Sequence, residues 1–247
     1  MKAEEARPGG NMPEFDQKIQ YAIENTRVVR SPKQGLATFG ITNIRYFLVT
    51  EPCYSGLDCA GDSASETVVR EGRVIAERPK IVTPHYLTNM FEGFEHGKEY
   101  ADFIMRRYGP NEPGLLYRYR NESGGVNIVS GAVDTVVDRL NGVIDAEREA
   151  LSAIVRGVDE MWDVSLMKLV HDVARNSLQK NVMDLYQHGM LRLDTRGIPQ
   201  DARTTIEELF KRVGRGQAEP AELKAELDAW GLFDEYEDRF LKLFRQR

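Results

Sequence analysis

Residues 36–49 read LATFGITNIRYFLV, and residues 66–82 read ETVVREGRVIAERPKIV. Both are dense in β-branched and aromatic residues, which suit the pleated, half-buried surface of a strand. In the first, Phe39 and Ile41 share one parity while Ile44, Tyr46 and Leu48 share the other. A bulge or bend near Thr42 and Asn43 is therefore expected. In the second, two apolar runs flank Glu71-Gly72. Glycine supplies the positive φ of a tight turn, so the pattern predicts a hairpin with Val69 opposite Val74 and Val68 opposite Ile75. Leu115–Arg120 is predicted to be a further strand, Asn121–Gly125 a turn, and VNIVS its partner. Together these segments predict a small antiparallel sheet.

Around that sheet the apolar spacing turns helical. Phe15, Ile19, Ala22 and Ile23 predict a helix over 14–25, behind a tail at 1–12 that carries Pro8, Gly9 and Gly10. Leu87, Met90, Phe91, Phe94, Ile104 and Tyr108 predict a helix over 86–108, stopped by Gly109-Pro110. From Ala132 the pattern predicts a helix through 155, then a long one from Asp159 or Asp163 to Tyr186, and three more at 204–213, 220–231 and 234–245. The expected class is α+β: a small antiparallel sheet in the N-terminal half packed with a mainly helical C-terminal half. The expected divisions are a disordered tail at 1–12, an α+β domain at 13–130 and a helical domain or subdomain at 131–247 that ends in a helical hairpin.

Composition bounds the function. The chain has 247 residues, 41% hydrophobic and 29% charged, the profile of an ordinary globular protein. Its net charge of −6 argues against a whole-protein footprint for nucleic acid. No apolar run approaches the roughly 20 residues that span a bilayer. The first fifteen residues hold no apolar leader core, so a cytoplasmic location is expected. Cys53 and Cys59 are spaced C-x5-C, too loose for the usual C-x2-4-C zinc pair, and the spacing leaves open whether they pair with each other. No metal and no cofactor is expected. P-loop, Rossmann, kinase and serine-hydrolase signatures are absent.

Three clusters could carry function. Glu92, Glu95, His96 and Glu99 fall on one face of the 86–108 helix, where carboxylate and imidazole one turn apart could do acid/base work, and His85 stands at the start of that helix. The same pattern is also what a solvated helix face shows. Candidate catalytic residues are thus His85, His96, Glu95 and Glu99. Arg27, Arg30, Arg45, Arg118 and Arg120 are candidate ligand- or phosphate-binding residues, interleaved with aromatics at 117 and 119. Strand alternation, however, puts Tyr117 and Tyr119 on one face and Arg118 and Arg120 on the other. Trp230, Phe233, Tyr236, Phe240 and Phe244 form an aromatic stripe that could clamp the last helices on the core or serve as an interface.

Nothing in these patterns specifies a reaction, and the expectation leans away from catalysis. The leading expectation is a binding, scaffold or assembly protein that acts on a protein partner or on a second copy of itself, as a homo-oligomer. It draws on the aromatic stripe and on Gly93 and Gly97, four apart in one helix, where close backbone approach would offset the roughly 1 kcal/mol cost of each glycine. The alternatives are an enzyme with its site between the sheet and the 86–108 helix, and a nucleic-acid or nucleotide binder using the arginines.

Overall fold

The computed structural model describes residues 14–53, 65–84, 86, 105, 106, 109 and 114–245. The class is α+β. Two compact units form. One gathers the described residues of 1–37, 41–77 and 119–178, and the other those of 38–40, 78–118 and 179–247.

The first unit is built on a five-stranded sheet. Its strands are β1 (Arg27–Arg30), β2 (Thr42–Thr50), β3 (Glu66–Ala76), β6 (Tyr119–Ser130) and β7 (Ser152–Arg156). Their order is β1-β7-β2-β3-β6. All neighbours are antiparallel except β2 and β7, which run parallel with Phe47 beside Ile154. The sheet is therefore mixed rather than purely antiparallel.

The strand β7 corrects the expected helix over 132–155. Helix α2 (Val133–Glu147) ends at Arg148, which takes a left-handed φ of 54°, and the chain re-enters the sheet as SAIVR. Ala153, Ile154 and Val155 are all fully buried: β7 is an inner strand between β1 and β2, and Ile154 packs with Val133, Val136, Val137 and Ile144 of α2. A strand covered on both faces loses its alternation, so its apolar run is indistinguishable from a helical one.

The Glu71-Gly72 hairpin is also corrected. Strand β3 runs straight through these residues, with Glu71 beside Phe47 and Gly72 beside Tyr46. Glycine serves a close approach here, not a turn: a Cβ at Gly72 would stand 2.7 Å from the Glu122 carbonyl oxygen. Likewise 121–125 is no turn. Strand β6 continues through it, with one register shift where Gly72 faces Ser123 and Glu71 faces Gly125. Gly124 is the extra residue of this bulge. The expected strand at 115–120 is split between β5 (Gly114–Leu116) and the start of β6. Phe39 and Ile41 precede β2 and are exposed, so the sequence needs no bulge to reconcile their parity.

Each sheet face has its own cover. Helix α2 lays Val133, Val136, Val137 and Ile144 on Phe47, Val49, Val69 and Ile154. On the Leu48 face, Gly157 lets Ser165 of α3 (Trp162–Gln187) come close; a Cβ there would meet Ser165 Oγ at 2.5 Å and Leu48 Cδ1 at 3.1 Å. Ser165 Oγ also hydrogen-bonds Thr26 Oγ1 at 2.7 Å, just after α1 (Glu14–Asn25).

The second unit pairs β4 (Lys80–Val82) with β5, antiparallel. It adds α4 (Gln200–Gly214), α5 (Pro220–Ala229) and α6 (Phe233–Arg245). Pro220 opens α5, where its missing N–H costs nothing. The core joins Val82 and Tyr86 with Ile206, Phe210, Leu223, Leu227, Trp230 and Phe240. Buried polar groups are matched. Glu226 accepts the Trp230 indole N–H at 2.8 Å and pairs with Lys80, while Asp201 pairs with Arg78 at 3.1 Å.

Candidate functional site

Two features of the sheet unit could meet another molecule. The first is β6. It spans 12 residues, and its burial is exposed throughout except for Val129. Among the described residues, β3 is its one neighbouring strand. The register sets the faces. Arg120, Glu122, Gly125, Asn127 and Val129 lie on the α2 side, where Val129 packs against the apolar cluster. Asn121, Ser123, Val126 and Ile128 lie on the other side, where Tyr46 donates its hydroxyl proton to Asn121 Oδ1 at 3.1 Å. Val126 and Ile128 are 58% and 59% exposed.

Charge is confined to one end of this strand. Arg120 and Glu122 pair with each other at 2.9 Å, whereas Ser123–Ser130 carries no charged residue. Edge strands usually carry charges, prolines or covers that stop other strands from pairing. The uncharged end of β6 has none of these among the described residues, and its β-branched residues favour pairing.

The second feature is a cleft of about 410 Å³ beyond the carboxyl ends of β2 and β7, lined by Tyr21, Glu51, Cys53, Arg156, Asp159 and Glu160 among others. Such ends of parallel strands are common ligand positions. Here Asp159 and Arg156 are already matched. Asp159 accepts hydrogen bonds from Thr50 at 2.7 Å, Arg70 at 2.6 Å and the Cys53 amide at 3.3 Å. Burial pushes its carboxyl up, but the Thr50 and Arg70 hydrogen bonds and the Arg70 charge outweigh that and hold it below the usual carboxylate range. Arg156 pairs with Glu51 at 3.0 Å and with Asp134 at 3.2 Å. The cleft therefore offers a fixed carboxylate rather than one poised to exchange a proton near neutral pH.

The sequence candidates fall as follows. His85, His96, Glu95 and Glu99 lie outside the described residues, as do Gly93, Gly97, Cys59 and the 1–12 tail. Arg30 bonds Asn141 and Asp145 on α2. Arg45 binds Glu71, Glu147 and Glu149; burial opposes its charge, yet these carboxylates raise its pKa above the ordinary arginine value. Arg120 is paired with Glu122, and Arg27 stands across from Arg156 on β7. Arg118 belongs to the other unit. In the aromatic stripe, Trp230 and Phe240 are core residues, 2% and 7% exposed. Phe233 and Tyr236 pack against that core, and Phe244 keeps 49% of its surface.

The β6 edge was not singled out by sequence. Its signal was the uncharged VNIVS beside two glycines, which a reading of 121–125 as a turn concealed. Among the described residues, no helix is long and apolar enough to cross a membrane, and no three His, Cys, Asp or Glu side chains are grouped to hold a metal. Comparison with protein-family models, curated proteins and solved structures finds no match to this chain.

Proposed function

We propose that this protein acts by association with another protein chain, and that the open edge of β6 is the surface that docks. One observation carries the reading: a 12-residue edge strand whose last eight residues are uncharged and whose Val126 and Ile128 side chains are more than half exposed. A strand added to such an edge gains main-chain hydrogen bonds along its length and covers alternate apolar side chains. The aromatic stripe, proposed from sequence as an association surface, contributes less to this reading because most of it supports the core of its own unit.

The test is site-specific photo-crosslinking in the cell that makes the protein. A benzophenone amino acid replaces Ile128 in one version of the chain and Asp138, exposed on α2, in another. The reading expects an intermolecular adduct from position 128 and none from 138. Adducts absent at 128, or confined to the chain's own residues, would overturn it.

A further inference from the structure

We infer that the groove beside α1 is a binding site for a small organic cation, an alkylammonium or alkylguanidinium group, and that it works independently of the β6 edge. The cleft of about 410 Å³ has a neighbour of about 390 Å³, and Tyr21, Val158 and Glu160 line both. Cavities of this size hold small ligands. The walls are α1 on one side and the turn Asp159–Met161 on the other. One serine fastens both. Ser165 Oγ bonds Thr26 Oγ1, just past α1, at 2.7 Å, and it accepts the Val158 N–H, just before the turn, at 3.2 Å. Lys168 Nζ adds bonds to the Ile23 and Thr26 carbonyl oxygens at the end of α1, both of 2.7 Å. Tyr21 and Glu160 therefore stand on elements tied to the same helix, α3, before any ligand arrives, which lowers the ordering cost of binding.

Charge selects the class of ligand. Glu14, Glu51, Asp159 and Glu160 line the two cavities, against Lys18 and Arg156. Glu14 pairs with Lys18 at 3.1 Å, Glu51 with Arg156 at 3.0 Å and Asp159 with Arg70 at 2.6 Å. Glu160 has no ionic partner among the described residues, and it is on the wall that the two cavities share. An anion here would meet an unopposed carboxylate, and an apolar ligand would strip water from that carboxylate without replacing it. A cation supplies the missing partner. The Tyr21 ring on the same wall is 59% exposed, and an aromatic face attracts ammonium and guanidinium groups. Asn25 gives an Nδ2 proton to the Tyr21 carbonyl oxygen at 2.8 Å, which leaves its Oδ1 to accept an N–H from the ligand. Val158 and Met161 supply apolar lining for a short aliphatic stem.

The test is ligand-observed NMR titration of the full chain with n-butylammonium and n-butylguanidinium, beside neutral 1-butanol and anionic butyrate. Both cations should bind, and the neutral and anionic probes should bind at least about fivefold more weakly, the worth of one partly exposed ionic or cation–π contact. Glu160→Gln should weaken the cations by about the same factor and leave 1-butanol unchanged. Tyr21→Leu should weaken them too, whereas Tyr21→Phe, which keeps the ring, should not. Both side chains are exposed, so the circular dichroism spectrum should not change. Asp138→Asn, on exposed α2, should leave binding as it was. A short peptide with one internal lysine separates the sources: tighter binding than n-butylammonium assigns the cation to a protein side chain, weaker binding to a free amine. Cations that do not bind, that bind no better than 1-butanol, or that bind Glu160→Gln as well as wild type would overturn the inference. The crosslink from position 128 is read separately, so either reading can fail alone.

Discussion

The Tyr46 hydroxyl lies against the backbone of Gly72, so close that a Cβ at Gly72 would stand 2.5 Å from its oxygen. No real Cβ makes such a contact, and the Tyr46 ring is held by burial and by its bond to Asn121. Gly72→Ala should therefore cost about 1–3 kcal/mol of unfolding free energy, the usual range for overpacking. Urea denaturation measures it. In a Tyr46→Leu background, the same substitution should cost less because the colliding hydroxyl is gone, with the remainder set by the Glu122 carbonyl oxygen 2.7 Å from the added Cβ. Equal costs in the two backgrounds would show that the contact is not the cause.

The Asp159 carboxylate fixes Thr50, Arg70 and the Cys53 amide at the mouth of the cleft. Asp159→Asn should lower stability by about 2 kcal/mol near neutral pH, as expected for hydrogen bonds to a charged group. The sign of the pH dependence follows from a folded-state pKa below the unfolded one of about 3.9. The stabilisation is complete above the unfolded value and fades as pH falls through the folded one. The gap between wild type and variant should thus be flat from neutral down to about pH 5 and close in stronger acid. Unfolding midpoints taken across that range check it.

Glu226 holds together three groups of the helical unit: the Trp230 indole, the Lys80 ammonium and the Tyr86 hydroxyl. Glu226→Ala leaves a poorly exposed ammonium without its counter-charge. The expected loss is about 3–5 kcal/mol, the penalty for breaking a buried pair from one side. Lys80→Met with Glu226→Leu should recover part of it, which thermal melts of the two variants would reveal.

Phe240 and Phe244 stack edge to face with centroids 5.4 Å apart, yet one is core and the other surface. Phe240→Ala should cost about 3–5 kcal/mol, the range for emptying an aromatic site. Phe244→Ala should cost under about 1 kcal/mol, as surface changes do. On the association account, Phe244→Ala also leaves the adduct formed from position 128 unchanged. An adduct lost in that variant would move the interface to α6.

Much of the fold was legible in the sequence. Helix α1 follows the spacing of Ile19 and Ala22, and α4, α5 and α6 follow their apolar periods within a few residues. The misreadings have physical causes. Ala153–Val155 lost its strand signature because both faces are covered. Gly72 and Gly124 looked like turn residues because glycine is used alike for positive φ and for close approach, and only the neighbouring strand tells them apart. The candidate site was less legible. Trp230 and Phe240 are as aromatic in a core as at an interface, and Val126 and Ile128 look like any strand pair until the sheet order leaves them at the edge.

Cover on the β6 edge in the working protein would show in amide hydrogen exchange, residue by residue. Exchange of the Val126–Ser130 amides would be followed on the full chain over a wide dilution series. The account predicts that alternate amides, those pointing away from β3, are protected at high concentration or in extract of the cells that make the protein, and lose protection together on dilution. The amides bonded to β3 should stay protected throughout. Rapid exchange of the outward amides at every concentration of the purified chain and also in extract of the cells that make it would contradict the account.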